Sequence, residues 1–410
     1  MKYLSAAKLS AGLLTWLLAF LPACSHTPVY PEIGDAMIDS SPRGAEVLID
    51  GVSRHQMTPC RVTGIAVGAR RLTLCYNNHK TLNADIVIKA GQVVRVNYTL
   101  TPAALKQLVG LGLPWGAYAN GMSVDLANDD MYVSNRSNQV LRYHATDSAL
   151  TGPFPIEALG PQLALAVSSR HGRLFYVCRA GGDTVLVCVD LNTGLVIRKH
   201  VQPDSSRYVK LEISPDGNVL LVADSLGRRL LVVDARLCAV VKAIPLSGYP
   251  SDVIFGEASD AACVTLCGSN RLAKVDLTSG AELQLAPTGN NPRGLFWSLD
   301  RGQLGCCNAT DKQLTLVDVG NWASAIVMDP SVGGASFTAA CWTDDPFYLM
   351  VLIKGRVNFP DALNIVYTRN WFTTSKMVAG DLIDVAWLPS ARRYVVLARD
   401  TLRLLRGDFH

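Results

Sequence analysis

The chain has 410 residues, of which 49% are hydrophobic and 18% charged, and its mean hydropathy is +0.20. That length allows two or three ordinary domains, or one large β-architecture with a small companion; sparse charge with much Val and Leu suits strands buried on both faces better than half-solvated helices. The net charge is +4 and no block or stripe of Lys and Arg stands out, which argues against nucleic acid as a partner.

Taken in chain order, Lys2 and Lys8 accompany an uncharged run of 15 residues, Leu9 to Ala23. As a helix this run would reach about 22 Å, short of a hydrocarbon core of about 30 Å. Pro22 also interrupts it. Residues 1–23 therefore read as an export signal and not as a membrane span; their removal takes Lys2 and Lys8 and leaves a charge of +2. The tetrapeptide Leu21-Pro22-Ala23-Cys24 resembles a bacterial lipobox, with Pro22 where a small or aliphatic residue is usual. The resemblance implies that Cys24 becomes the mature first residue, lipidated on its sulfur, and Ser25 after it implies the outer membrane. Multiple acylation of such lipoproteins would meet the need for more than one chain in stable anchoring. The competing reading is ordinary cleavage beside an incidental cysteine. Residues 24–35, with Pro28 and Pro31, read as an extended tether.

From Ala36 to Thr101 the texture changes to short alternating runs such as "AEVLID", "RRLTLCY" and "VVRVNYTL", separated by Gly-containing turns. A small β-sandwich is expected over residues 36–101. Ser41-Pro42-Arg43-Gly44-Ala45, Val47, Asp50-Gly51, Thr58-Pro59 and Gly68 resemble the pattern of a PEGA domain. The sequence departs from it at Gln56-Met57, where Gly usually precedes Thr-Pro, and at Asn78-His79, where Gly-Tyr is usual. The resemblance implies an extracytoplasmic β-module without catalytic residues.

The remainder repeats. Each unit holds an apolar strand, a turn, a second apolar strand, a polar turn and a third strand often ending in Asp. The apolar residues closing the first strands are Val124, Val167, Ile213, Phe255, Trp297, Trp342 and Trp387, spaced 43, 46, 42, 42, 45 and 45 apart. Seven units of that period correspond to seven four-stranded blades, so residues 102–410 are expected to form a seven-bladed β-propeller. Gly248-Tyr249-Pro250, the longer Gly289-Asn290-Asn291-Pro292, "YVSN" at 132–135 and "LVAD" at 221–224 make the units similar to YVTN-type propeller repeats. The last unit supplies only three strands, which would leave a bare sheet edge. The segment near 105–112, "LKQLVGLG", resembles the outer strand of other units and is expected to complete it.

Ten cysteines besides Cys24 suggest disulfides in an oxidising compartment. Ser134, Cys178, Ala223, Cys267 and Cys307 are read as equivalent positions, which favours small core residues over bridges. Cys60 with Cys75 is the best candidate disulfide. No metal is expected: Cys263 with Cys267 and Cys306 with Cys307 lack a nearby histidine and zinc-site spacing. No cofactor is expected either, and no catalytic residue is assigned, because the seven histidines are scattered and no His-Glu-x-x-His, Gly-x-Ser-x-Gly or Walker motif occurs. "SPDGN" at 214–218 and "DLANDD" at 125–130 read as turns, and the Arg-Gly-Asp at 406–408 as a strand end.

Three residues before each anchor stand Gly121, Ala164, Lys210, Asp252, Gly294, Ala339 and Asp384. Lys210, Asp252 and Asp384 are the candidate ligand contacts at the channel mouth; ordinary solvated lining explains them equally. Two functions follow. The first is a cell-envelope protein, joined to a membrane through its lipid, whose propeller is a platform for a protein or cell-wall polymer. The second is a propeller enzyme of lactonase or lyase type acting on a small polar substrate. Fold alone does not choose between them.

Overall fold

The computed structural model describes residues 32–408 except 78, 114–118, 126–127, 129, 136–138, 145–148, 156–161, 203–206, 257–258, 299–301, 312, 329–335, 344, 346, 356–360, 369–371, 379–380, 389–392 and 400. Cys24, the signal segment and most of the expected tether lie outside the described residues. Every described element is a β-strand except a single 3-10 turn at Ser169–His171.

The first unit is two facing sheets. Ile33–Ser41 lies between Cys60–Ala66, antiparallel, and Val93–Thr99, parallel. The second sheet orders Val52–Met57, Glu46–Ile49, Gly68–Cys75 and Leu82–Ile88. Strict alternation sends Ala36 and Ile38 inward from the first sheet, where they meet Val47, Ile49, Leu72, Leu74 and Ile86 of the second. Asp50 and Gly51 both take positive φ, 52° and 78°, as a two-residue hairpin turn of the primed type requires.

Seven four-stranded antiparallel sheets follow, begun by Ala119–Asp125, Gln162–Ser168, Tyr208–Ile213, Tyr249–Phe255, Pro292–Trp297, Ser336–Trp342 and Leu382–Leu388; they are numbered 1 to 7 below. Sheets 1 to 6 are meanders in chain order. Sheet 7 takes its first three strands from the C-terminal end, and its fourth is Ala104–Gly112, paired antiparallel with Thr401–Asp408. The seven repeat anchors each close a first strand or stand one residue from its end.

Consecutive sheets pack face to face, each pair enclosing its own core. Val253 and Val264 of sheet 4 share a cluster with Leu221, Leu230 and Ile244 of sheet 3. Met131, Val133 and Tyr143 of sheet 1 share one with Val395, Leu397 and Leu402 of sheet 7, so the succession of sheet contacts returns to its start. Central strands such as Val219–Asp224 and Arg229–Asp234 are covered on both faces, which is why they read "VLLVAD" and "RLLVVD" with charge only at their ends. The aspartate closing the third strand also has a physical role. Asp190, Asp276 and Asp318 each accept backbone N–H groups from the turn that follows, of Asn192 and Thr193, of Ser279, and of Gly320 and Asn321.

Two cysteine expectations are corrected. The disulfide among the described residues joins Cys188 of sheet 2 to Cys238, which follows the third strand of sheet 3. Cys60 and Cys75 are thiols and not bridged to each other. They sit in opposite sheets of the first unit and turn to different cores: Cys60 packs on that unit's interior, and Cys75 packs on sheets 6 and 7. The expected equivalence of small residues also shifts. Ser134, Val177, Ala223 and Thr265 stand opposite Gly121, Ala164, Lys210 and Asp252, while Cys178 and Cys267 pair further along.

Candidate functional site

The first strands of all seven sheets line one cavity of about 690 Å³. That volume lies within the range of small-molecule sites, roughly 300–1,000 Å³. The strands are not regular. Each carries a one-residue bulge near its start, at Asn120, Leu163, Val209, Ser251, Gly294-Leu295, Thr338 and Ile383. A bulge leaves backbone groups out of the ladder and re-aims the side chain beside it. Lys210, Asp252 and Asp384 each directly follow a bulge.

The lining includes Lys210, Asp252, Gly294, Ala339 and Asp384, but neither Gly121 nor Ala164. It also includes Glu212, two residues after Lys210 on the same strand and so on the same side of it. Glu212 was missed by counting only three residues back from each anchor. The signal was present as an acidic residue in the strand "YVKLEI".

These four side chains differ in how they are held. Asp252, only 6% exposed, accepts the N–H of Val253 at 2.8 Å. Its other oxygen accepts the N–H of Leu295, at 2.8 Å, from the bulge of sheet 5. The Asp252 carboxylate thus ties two sheets together and satisfies an amide that the bulge leaves outside the ladder. Lys210 forms an ion pair with it at 3.9 Å. Asp384 accepts one N–H, that of Val385 at 2.9 Å. Glu212 has no hydrogen-bond partner among the described residues.

The electrostatics follow from this grouping. Asp252 raises the Lys210 pKa above its ordinary value against the opposing effect of burial, with help from Glu212 and Asp384. Burial pushes the Glu212 carboxyl up to about 7, more than Lys210 pulls it down, and Asp252 and Asp384 add to the rise. Burial likewise raises Asp384, opposed by Lys210 and by the Val385 amide. The lining also includes apolar and aromatic groups, among them Phe296, Trp297, Trp342 and Trp387. Trp297 donates its indole N–H to the carbonyl of Phe255 at 2.9 Å. The matching indole of Trp342, 7% exposed, has no hydrogen-bond partner among the described residues.

Among the described residues, no group of three or more metal-ligating side chains occurs and no histidine lines the cavity. The described histidines serve elsewhere. His200 meets the carbonyl of Cys238, His171 the side chain of Asn218, and His144 the carboxylate of Asp130.

The first unit joins sheets 6 and 7 directly. Leu48 and Cys75 belong to the same core as Tyr348, Met350, Tyr367 and Tyr394. The Tyr348 hydroxyl donates to the carbonyls of His79 and Tyr76. His79 lies in the segment that departs from the PEGA pattern, so this departure coincides with the contact to the second unit.

Residues 33–104 match the PEGA domain family. The small two-sheet unit is therefore a PEGA domain, three residues longer at each end than the 36–101 read from the sequence. The motif residues hold its entry. The Ser40 and Thr58 hydroxyls are 2.5 Å apart, Thr58 accepts the Ala45 N–H at 3.0 Å, and Gly44 takes φ +94°. No curated protein matches the chain.

Proposed function

We propose that this chain is a lipid-anchored bacterial cell-envelope protein whose seven sheets are the blades of a YVTN-type β-propeller, serving as a non-catalytic platform for a protein or cell-wall polymer. The observation that carries this reading is the continuous core between the PEGA domain and sheets 6 and 7, built on Leu48, Cys75 and Tyr348. A tethered module packed in this way presents the propeller in a set attitude, which suits a scaffold. PEGA domains occur in extracellular or periplasmic proteins. A disulfide between Cys188 and Cys238 suits the same oxidising side of a membrane. No described helix is long and apolar enough to cross a membrane, and Cys24 is the attachment point in this reading.

The test has two arms. Mass spectrometry of the mature chain is expected to find Cys24 as the first residue, acylated, and Cys24→Ser is expected to move the protein from the membrane to the soluble fraction. An unmodified residue 24, or cleavage elsewhere, overturns the anchor. Crosslinking in intact envelopes is expected to join the propeller to one dominant envelope protein or to cell-wall fragments; an uncrosslinked monomer throughout overturns the platform. The second reading, a propeller enzyme of lactonase or lyase type, rests on Glu212, whose pKa near 7 suits a general base. Turnover of a small molecule, lost in Glu212→Gln and in Asp384→Ala while cooperative unfolding is unchanged, would establish that reading over the platform.

A further inference from the structure

The PEGA domain meets the sheets at the end where their first strands finish. Tyr348 opens the second strand of sheet 6 there, and Ala104 enters opposite Asp408 at the same end. The other end, where the first strands begin, is built from the turns between second and third strands and from the connections between sheets. On sheets 3 to 5 that end carries Arg207, Arg228, Arg271 and Arg293. The first three are exposed, while Arg293 lines the cavity with its Nε buried and unpartnered. Among the described residues, no aspartate or glutamate pairs with any of the four. The acids of the same sheets are engaged elsewhere. Asp224 is buried against Arg229, Asp311 accepts the backbone and side-chain N–H groups of Asn290, and Glu282 accepts the N–H of Ser247. Asp252 and Glu212 face Lys210 within the cavity, as does Asp384 of sheet 7.

The four arginines belong to one continuous surface. The Arg207 carbonyl accepts the N–H of Ser225, at the start of the turn that carries Leu226 and Arg228. The Arg228 guanidinium lies over the Tyr249 ring, 4.7 Å from its centroid, and donates to the Ser247 carbonyl at 3.3 Å. Tyr249 pairs with Cys267 and lies against Gly268, in the turn that precedes Arg271. The Cys267 thiol reaches across to the Asn291 side chain and to the carbonyl of Pro292, the residue before Arg293. Leu226, 49% exposed, and Tyr249, 42% exposed, stand among these arginines. Tyr and Arg are the residue types that protein interfaces enrich. A guanidinium stacked on an aromatic ring keeps its edge N–H groups for a carboxylate, which it holds with two parallel hydrogen bonds.

We infer that this surface docks an acidic polypeptide segment of the platform's partner, its Asp or Glu side chains received by Arg207, Arg228, Arg271 and Arg293 and an apolar side chain by Leu226 and Tyr249. Charge complementarity selects an acidic occupant. The apolar pair selects a polypeptide over a polymer that offers acidic groups alone. Packing of the PEGA domain on the opposite end keeps this one clear of it. The inference names the docking face and the partner chemistry of the platform proposed above, and it rests on that reading.

The probe is a short fluorescein-labelled peptide, rich in glutamate and carrying leucines, whose binding to the full chain is read by fluorescence anisotropy. A glutamine analogue removes its charge, a serine-for-leucine analogue removes its apolar groups, and polygalacturonate presents carboxylates on a sugar chain. The acidic peptide is expected to bind saturably, about tenfold more tightly than the glutamine analogue and severalfold more tightly than the serine analogue. Arg228→Gln with Arg271→Gln is expected to weaken it about tenfold, and Tyr249→Ala severalfold, with cooperative unfolding unchanged. Arg198→Gln with Arg236→Gln alters two exposed arginines outside this surface and is expected to leave the affinity as it was. Equal binding of the acidic and glutamine peptides, an equal loss in the Arg198 and Arg236 variant, or no binding to folded protein overturns the inference. Displacement by polygalacturonate with no effect of the leucines assigns the surface to an anionic polymer and also overturns it. Envelope crosslinking tests the platform separately: a partner joined there, without peptide binding here, retains the platform and overturns this face.

Discussion

Asp252 and Glu212 carry the same charge in one cavity and have opposite relations to the fold. Asp252 is held by the amides of Val253 and Leu295, so it works as a tie between sheets 4 and 5. Glu212 has no such support, and its burial works against ionisation. Its carboxyl rises from an ordinary 4.5 to about 7, so the folded state binds more protons than the unfolded chain between those values. Stability must then fall as pH rises through that window. Glu212→Gln removes this loss and is expected to be more stable than the parent chain at pH 8 by about 1–3 kcal/mol, with the difference shrinking toward pH 5. Urea unfolding at the two pH values checks it; a constant difference would show that Glu212 does not titrate in this range. Gly294 is the other decisive residue. It takes φ +60°, and a Cβ there would stand 2.6 Å from the Thr338 carbonyl oxygen in the bulge of sheet 6. Gly294→Ala is expected to cost about 2–4 kcal/mol, read as a lowered urea midpoint, because strain and overpacking act together.

Among the elements, the strand Ala104–Gly112 has an influence out of proportion to its length. It lies between the PEGA domain and sheet 1 in sequence, yet it pairs along its whole length with Thr401–Asp408. Without it, Thr401–Asp408 becomes an open edge at the point where the first and last sheets meet. Deletion of residues 102–112 is expected to abolish cooperative unfolding and to produce aggregation, measured by thermal denaturation and light scattering. A deletion that unfolds as sharply as the full chain would mean that sheet 7 stands without its fourth strand. The bulges act at this scale too. They recur in all seven first strands, and they decide which residues of each strand meet the cavity.

At the scale of the whole molecule, the PEGA domain and sheets 6 and 7 share a core centred on Tyr348, which is fully buried. Two units that share a core in this way are expected to unfold together. Calorimetry of the full chain is expected to give one transition, and Tyr348→Ala to split it or lower it, with a loss of about 3–5 kcal/mol as for other buried aromatics. Two independent transitions in the parent chain would show that the interface contributes little.

The all-β class, the sandwich over 36–101 and the seven-fold period were legible in the sequence because each rests on local causes. Alternation in "AEVLID" puts side chains on opposite faces, Asp50-Gly51 is a residue pair suited to the positive φ of a primed turn, and the anchors recur at a period set by four short strands. Lys210, Asp252 and Asp384 were legible for the same reason, as charges at a repeated position. What stayed hidden involves partners distant in sequence. Cys188 meets Cys238 only because sheets 2 and 3 pack face to face, and Cys60 and Cys75 diverge because Cys75 is drawn into the core around Tyr348. Glu212 becomes distinctive only where Asp252 and Asp384, one of them 172 positions away, are brought beside it. Strand pattern depends on each residue's immediate neighbours, whereas the charge balance of a cavity depends on which strands the tertiary fold places around it.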